Sequence, residues 1–223
     1  HTPTRRQRQM CIRDRKKIPF ESVMSKVWNK KIFSNIQKQV DQASKDLADE
    51  RGPCPDAADY GINERFSNKT AIAPTASISI ICGGTSPGVE PIAANSYTHK
   101  TLSGSFNVRN KYLTEVLEKY GKNDEETWSS ITTNRGSVSH LDFLSQNEKD
   151  VFKTAFELDQ RWIVDLGADR TPHISQAQSI NIFIPADIHK KDLHQIHFQA
   201  WKKGLKSLYY CRSKSIQRAE NIN

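Results

Sequence analysis

The strongest constraint on the fold is a strand, a helix and a second strand in quick succession near the end of the chain. Gln178-Ser179-Ile180-Asn181-Ile182-Phe183-Ile184 is rich in β-branched residues and is closed by Pro185, the pattern of a buried strand. Asp187 or Asp192 is then the predicted cap of a helix running through Leu193, Ile196, Ala200, Trp201 and Leu205. Ser207-Leu208-Tyr209-Tyr210-Cys211 reads as the next strand. A connection of this length carries the chain back over the sheet and makes the two strands parallel. The unit therefore predicts an α/β fold.

Upstream, Ser22 to about Glu50 reads as one long amphipathic helix. Its apolar positions are Val23, Val27, Trp28, Ile32, Ile36, Val40, Ala43 and Leu47, at three- and four-residue spacing. Arg51-Gly52-Pro53 ends it, glycine accepting a left-handed cap and proline refusing to continue. Thr70-Ala71-Ile72-Ala73 is a short strand running into Pro74. Helices are predicted over Asn110–Lys119, Asp124–Thr132 and Asn147–Phe156, the last extending toward Leu166. Neither an internal repeat nor a low-complexity linker interrupts the chain, so residues 18–223 read as one continuous domain.

The net charge of +8 suggests a nucleic-acid partner until it is located. Residues 1–17 hold Arg5, Arg6, Arg8, Arg13, Arg15, Lys16 and Lys17 against Asp14, which accounts for all but two of those charges. Such a tail binds phosphates by releasing counterions, without reading sequence. The run Gln9-Met10-Cys11-Ile12-Arg13-Asp14-Arg15 resembles translated sequencing-adapter DNA. The tail is therefore set outside the fold, as an assembly artefact or a basic arm. No apolar run approaches the roughly 18 residues of a membrane helix, and no apolar signal segment opens the chain. A cytoplasmic protein is expected. Cys11, Cys54, Cys82 and Cys211 lack metal-ligand spacing and are expected to be reduced and mostly buried thiols. His189, His194 and His197, in or near the last long helix, read as solvated surface residues.

Three segments could carry chemistry. Pro74-Thr75-Ala76-Ser77-Ile78-Ser79 follows a strand with small hydroxyl residues. It is either an ordinary helix cap or a phosphate cradle built from free amides at a helix start. Gly83-Gly84-Thr85-Ser86-Pro87-Gly88-Val89-Glu90-Pro91 is a tight turn or a close backbone approach to a ligand, and lacks the lysine of a P-loop. Tyr209-Tyr210 is a pair of packed aromatics. In a regular strand the two rings point to opposite faces, but at a bent strand end they can touch and relay an electron with a proton.

In combination these segments resemble a known family. Ala73-Pro74-Thr75-Ala76-Ser77-Ile78-Ser79-Ile80, with Gly88-Val89-Glu90-Pro91 downstream, is similar to the substrate-phosphate loop of ribonucleotide reductase large subunits. Gly204-Leu205-Lys206-Ser207-Leu208-Tyr209-Tyr210 resembles the strand of the class I enzymes that carries their tandem tyrosines. The resemblance covers about Ile18 to Glu220. It implies the C-terminal part of a ten-stranded α/β barrel, incomplete in this chain. It further implies radical-based reduction of ribonucleoside diphosphates at the 2′ carbon. Thr75, Ala76, Ser77 and Ile78 would hold substrate phosphate, largely through backbone amides, with Tyr209 and Tyr210 as the last radical relays. Position 76 is alanine where some relatives carry an acid, a change that a backbone contact survives.

The implied partners are a radical-generating small subunit holding the metal centre, thioredoxin or glutaredoxin, and a second copy of the full-length chain. Neither membrane nor nucleic acid is expected to be a partner. No cofactor is expected in this chain, and nucleotide effectors would bind in regions absent from it. The family's radical cysteine sits in an Asn-x-Cys-x-Glu motif that this sequence lacks, so the chain is expected to be inactive alone, with exposed sheet edges. An adenosylcobalamin-dependent reductase shares the barrel and the phosphate loop but has no use for the tyrosine pair. From another class, a small basic RNA-binding module would depend on residues 1–17. Binding of the chain to RNA, measured against salt, is expected to fall steeply, to ignore base sequence and to vanish when residues 1–17 are removed. Sequence-selective binding without them would favour the RNA-binding reading.

Overall fold

A computed structural model describes residues 13–81, 86–101 and 104–213. The expected turn residues Cys82, Gly83, Gly84 and Thr85 and the first twelve residues of the basic tail lie outside the described residues. Within the remainder of that tail, Arg13 is buried, with its guanidinium 4.6 Å over the ring of Phe20.

The sheet is organised around residues 178–184, which run as the middle of three parallel segments. On one edge the Ile72 N–H donates to the Ala177 carbonyl at 3.2 Å, and the Ser179 N–H donates to the Ile72 carbonyl at 2.8 Å. On the other edge β3 (Ile182–Ile184) pairs with β4 (Cys211–Ser213), Ile182 opposite Cys211 and Ile184 opposite Ser213. The expected strand at 70–73 is thus reduced to one bridge at Ile72, because Pro74 turns the chain away. The expected strand at 207–211 is shifted toward its end, its ladder lying at 211–213. The crossover helix, α8 (Lys190–Lys202; the intervening helices are numbered below), starts later than Asp187. His189 caps it, its Nδ1 accepting from the Lys191 N–H at 3.1 Å. The strand–helix–strand unit is as expected.

Two clusters of apolar residues support this arrangement. Around the strand, Ile180, Ile182, Phe183 and Ile184 pack against Ile163, Val164 and Leu166, and against Ile196 and Ala200 of α8. Both faces of β3 are buried, as parallel sheets require. Gly167 lets its helix close on the strand, since a side chain there would meet Ile180 and Leu205. That helix, α7 (Gln160–Arg170), is separate from α6 (Gln146–Val151). The single helix expected from Asn147 toward Leu166 is split because each half has its own cap, Ser145 in a capping box with Glu148 and Asp159 over Arg161. The second cluster joins α6 to α4 (Lys111–Lys119) and α5 (Glu125–Thr133) through Leu113, Leu117, Trp128, Ile131 and Val151. Asn110 and Asp124 cap α4 and α5. A hairpin that the sequence did not suggest, β1 (Ser96–Thr101) and β2 (Gly104–Arg109), precedes them. Much of it is exposed, so no alternation of apolar residues marks it.

The long helix α1 (Val23–Arg51) runs almost as expected, from the Ser22 cap to Gly52 at φ 79°. Two short helices follow it, α2 (Pro55–Asp59) and α3 (Ala76–Ile81). The apolar stripe is only partly the inward face of α1: Ile32 and Ile36 pack against Phe33, Ile72 and Ile174, but the start of the stripe does not pack. Val23 is 74% exposed and Val27 50%, while Ser25, Asn29, Phe33, Ser44 and Ala48 are buried. The cause is a polar dock onto α7. Asn29 Nδ2 donates to the Leu166 carbonyl at 2.9 Å, and its Oδ1 accepts from Arg170 at 3.2 Å. Arg170 is wholly buried, also donates to Gln178 at 3.0 Å, and lies 5.6 Å over Phe33. Burial depresses its guanidinium to about 10.

Replacing Arg170 leaves the buried Asn29 and Gln178 amide oxygens without their donor, at about 1–3 kcal/mol each, whereas an exposed pair contributes about 0–1 kcal/mol. Arg170→Met is therefore expected to lower the urea midpoint markedly. Arg161→Met, which breaks the exposed pair with Asp159, is expected to leave it nearly unchanged. Equal midpoints for the two variants would contradict this account of the α1–α7 dock.

Candidate functional site

The parallel segments open onto a cleft of about 410 Å³, lined among others by Thr75, Pro87, Glu90, Asn181, Tyr209, Tyr210 and Arg212. Clefts beside strands of open α/β sheets are the usual place for ligands.

One wall is the turn where Pro74 ends the first segment and α3 begins. Thr75 caps α3 through its carbonyl, which accepts from the Ser79 N–H at 2.8 Å. The amides of the first helical turn, from Ala76 through Ile78, have no partner within the helix. Thr75 itself is committed to the neighbouring loop: its N–H and its hydroxyl both donate to the Pro87 carbonyl, at 3.1 and 2.7 Å. Ile78 is exposed. The side chains of Ala76 and Ser77 lie outside the described residues.

The opposite wall carries the tyrosine pair. Tyr209 donates its N–H to the Ile180 carbonyl at 2.7 Å, and the Ile182 N–H donates to the Tyr210 carbonyl at 2.9 Å. Both residues precede β4, where the backbone bends enough to bring the rings together. Their centroids are 4.1 Å apart and the planes are inclined by 51°. A hydrogen bond between the phenols, with a smaller contribution from burial, raises the Tyr209 hydroxyl above its ordinary value, while the Arg212 charge pulls it down. The Arg212 guanidinium also sits 5.3 Å over the Tyr210 ring. Cys211 is exposed, not the packed thiol expected, because it lies on the outer strand of the three. Cys54 is half-buried.

Glu90 connects the walls. It is buried, with a 2.6 Å hydrogen bond from the Asn181 N–H to Oε1 and a longer one of 3.4 Å from Asn181 Nδ2 to Oε2. Loss of water raises its carboxyl above the usual range, against the hydrogen bonds from Asn181 and the charge of Arg170. The sequence presented Glu90 within a turn and within the motif of the resemblance, with no role of its own, and gave no reason to single out Asn181 or Arg212. Glu90 and Asn181 meet across 91 positions of sequence, and Arg212 reaches the rings of Tyr209 and Tyr210 only because the backbone bends before β4. Among the described residues, no cluster of three His, Cys, Asp or Glu side chains is arranged to hold a metal ion, and no helix is long and apolar enough to cross a membrane.

Residues 56–211 match the family model for the ribonucleotide reductase barrel domain. The chain belongs to this family. It is 47% identical over 212 residues to the ribonucleoside-diphosphate reductase large subunit of Invertebrate iridescent virus 6, and 43% identical over 211 residues to that of Invertebrate iridescent virus 3. Each match covers 93% of this chain but only 22% and 33% of the viral proteins, respectively. The fold is similar to that of the Actinobacillus ureae class Id ribonucleotide reductase alpha subunit, with a TM-score of 0.86 and 35% identity, covering 96% of this chain and 39% of the other. The three parallel segments are thus part of an α/β barrel, left open among the described residues.

Because Arg212 lowers the Tyr209 phenol, its replacement by Gln is expected to move that phenol's titration to still higher pH. Fluorine NMR of 3-fluorotyrosine placed at position 209 reads this directly. An unchanged or lower midpoint would contradict the assigned contribution of Arg212.

Proposed function

We propose that this chain is the part of a class I ribonucleoside-diphosphate reductase large subunit that grips the substrate diphosphate and delivers the radical. The supporting observation is the tyrosine pair, rings in contact at 4.1 Å, on the same cleft as the turn that opens α3. Free amides at a helix start suit a phosphate, so Ala76, Ser77 and Ile78 bind it through backbone N–H groups. Thr75 holds the turn in shape through Pro87. The substrate class is a ribonucleoside diphosphate, reduced at its 2′ carbon.

In this reading Tyr209 and Tyr210 act in series. An electron leaves one ring as its proton shifts, and the neighbouring phenol makes good the loss through the hydrogen bond between them. The residue that receives the radical is a cysteine in sequence that this chain does not contain, within a ten-stranded barrel of which residues 18–223 are a part. The radical originates at a metal centre in a separate small subunit. Thioredoxin or glutaredoxin restores the reducing thiols, the full-length chain forms a homodimer, and the enzyme works in the cytoplasm. The Asn-x-Cys-x-Glu motif being absent, the chain by itself does not turn over.

Tyr209→Phe and Tyr210→Phe, made in the complete large subunit and assayed with its small subunit, test the relay. Phenylalanine keeps the ring packing but cannot give up a phenolic proton. Each variant is expected to form deoxynucleotide at less than about a thousandth of the normal rate, since groups that act as a unit lose nearly everything when one is removed. Diphosphate binding is expected to be retained. Full turnover in either variant would sink the relay and favour the adenosylcobalamin-dependent class.

A further inference from the structure

The middle strand presents a row of backbone N–H groups along the edge that faces Ile72, and each finds a different acceptor. Ser179 donates to the Ile72 carbonyl at 2.8 Å. Beyond that point Pro74 has turned the neighbouring segment away, and side chains replace it. Asn181 donates to Glu90 at 2.6 Å and Phe183 to Gln160 at 2.7 Å. A buried N–H without an acceptor costs about 1–3 kcal/mol, so Glu90 completes the edge where the strand has ended.

Glu90 also belongs to a strap that reaches the other wall. Pro87 takes both donors of Thr75 at the start of α3, at 3.1 and 2.7 Å. Ser86 donates its hydroxyl to the Glu90 carbonyl at 2.6 Å, closing residues 86–90 into a rigid turn. Gly88 leaves room for the Glu90 carboxylate, which a side chain at that position would strike. From Glu90 the line continues through Asn181 to its neighbours Ile180 and Ile182, which hold the backbones of Tyr209 and Tyr210 at 2.7 and 2.9 Å.

We infer that Glu90 is a positioning residue that couples occupancy of the turn before α3 to the placement of the tyrosine pair. The inference rests on the reading of that turn as a diphosphate site and of the pair as a radical relay. Glu90 lines the cleft, but the role inferred for it runs through Pro87 and Asn181 and not through contact with the reacting atoms. A diphosphate that tightens the turn pulls on Pro87, and the carboxylate transmits the shift to the strand under the rings.

The test uses the complete large subunit with its small subunit and 3-aminotyrosine at position 210, which is oxidised more easily than tyrosine and traps the radical for electron paramagnetic resonance. In the otherwise unsubstituted protein, adding a ribonucleoside diphosphate is expected to increase the trapped radical. Glu90→Ala is expected to cut that gain at least roughly fivefold, the lower end of typical couplings between sites. Glu90→Gln keeps an acceptor for Asn181 and is expected to restore the gain. Gly88→Ala, which displaces the carboxylate without removing it, is expected to behave as Glu90→Ala, and decides the matter if Glu90→Ala does not fold. An undiminished gain in Glu90→Ala or in Gly88→Ala overturns the inference, as does a loss in Glu90→Gln equal to that in Glu90→Ala. Absence of any radical at position 210 in the otherwise unsubstituted protein overturns the relay reading itself, and is told apart because it needs no change at Glu90.

Discussion

The structure depends on satisfying the backbone of one buried strand. Residues 178–184 lie between two parallel neighbours and under two helices, where an unpaired N–H or carbonyl has no water to turn to. One edge is met by Tyr209, Tyr210 and β4. The other is met first by Ile72 and then by Glu90 and Gln160. The tyrosine wall of the cleft and Glu90, which joins the two walls, are thus among the partners this strand requires. The tyrosine pair is therefore held by main-chain bonds that the fold needs in any case, and its rings are aimed by a backbone with little freedom.

A second constraint is the burial of Arg170. A guanidinium removed from water is tolerated only when its donors are met, and Asn29, Gln178 and the more distant charge of Glu90 share that task. This explains why the start of α1 turns Ser25 and Asn29 inward, while farther along Ile32 and Ile36 of its apolar stripe still pack. The apolar positions Val23 and Val27 remain exposed, and Asn29 takes the place against α7 that the periodicity had given to them. Hydrophobic spacing ranks the faces of an isolated helix, but it does not register a charge that must be met from another helix some 140 positions along the chain.

The cleft joins two kinds of chemistry, a set of amides suited to an anion and a pair of phenols suited to moving an electron with its proton. Neither is distinctive alone. Caps rich in threonine and serine are common, and adjacent tyrosines on strands are ordinary packing residues. Their meeting on one cavity, in a chain that belongs to the ribonucleotide reductase barrel family, gives each its role in the proposed reaction.

What the sequence determined by itself is what local chemistry decides. Ser22, Asn110 and Asp124 announced helix starts because a cap bonds to amides only two or three residues on. Gly52 announced a stop because its conformation is open to glycine. The strand–helix–strand unit was legible because a crossover of that length leaves only parallel pairing, and the two motifs were legible because their residues are contiguous. Tertiary structure alone decided the rest. It chose the face of α1 that is buried, placed the break before α7, formed the exposed hairpin β1–β2, and brought the Tyr209 and Tyr210 rings into contact. It also drew Glu90 to Asn181 and Arg212 over Tyr210. Most of these choices link groups far apart in sequence, where no periodicity or cap carries information and the deciding quantity is whether a buried polar group finds its partner.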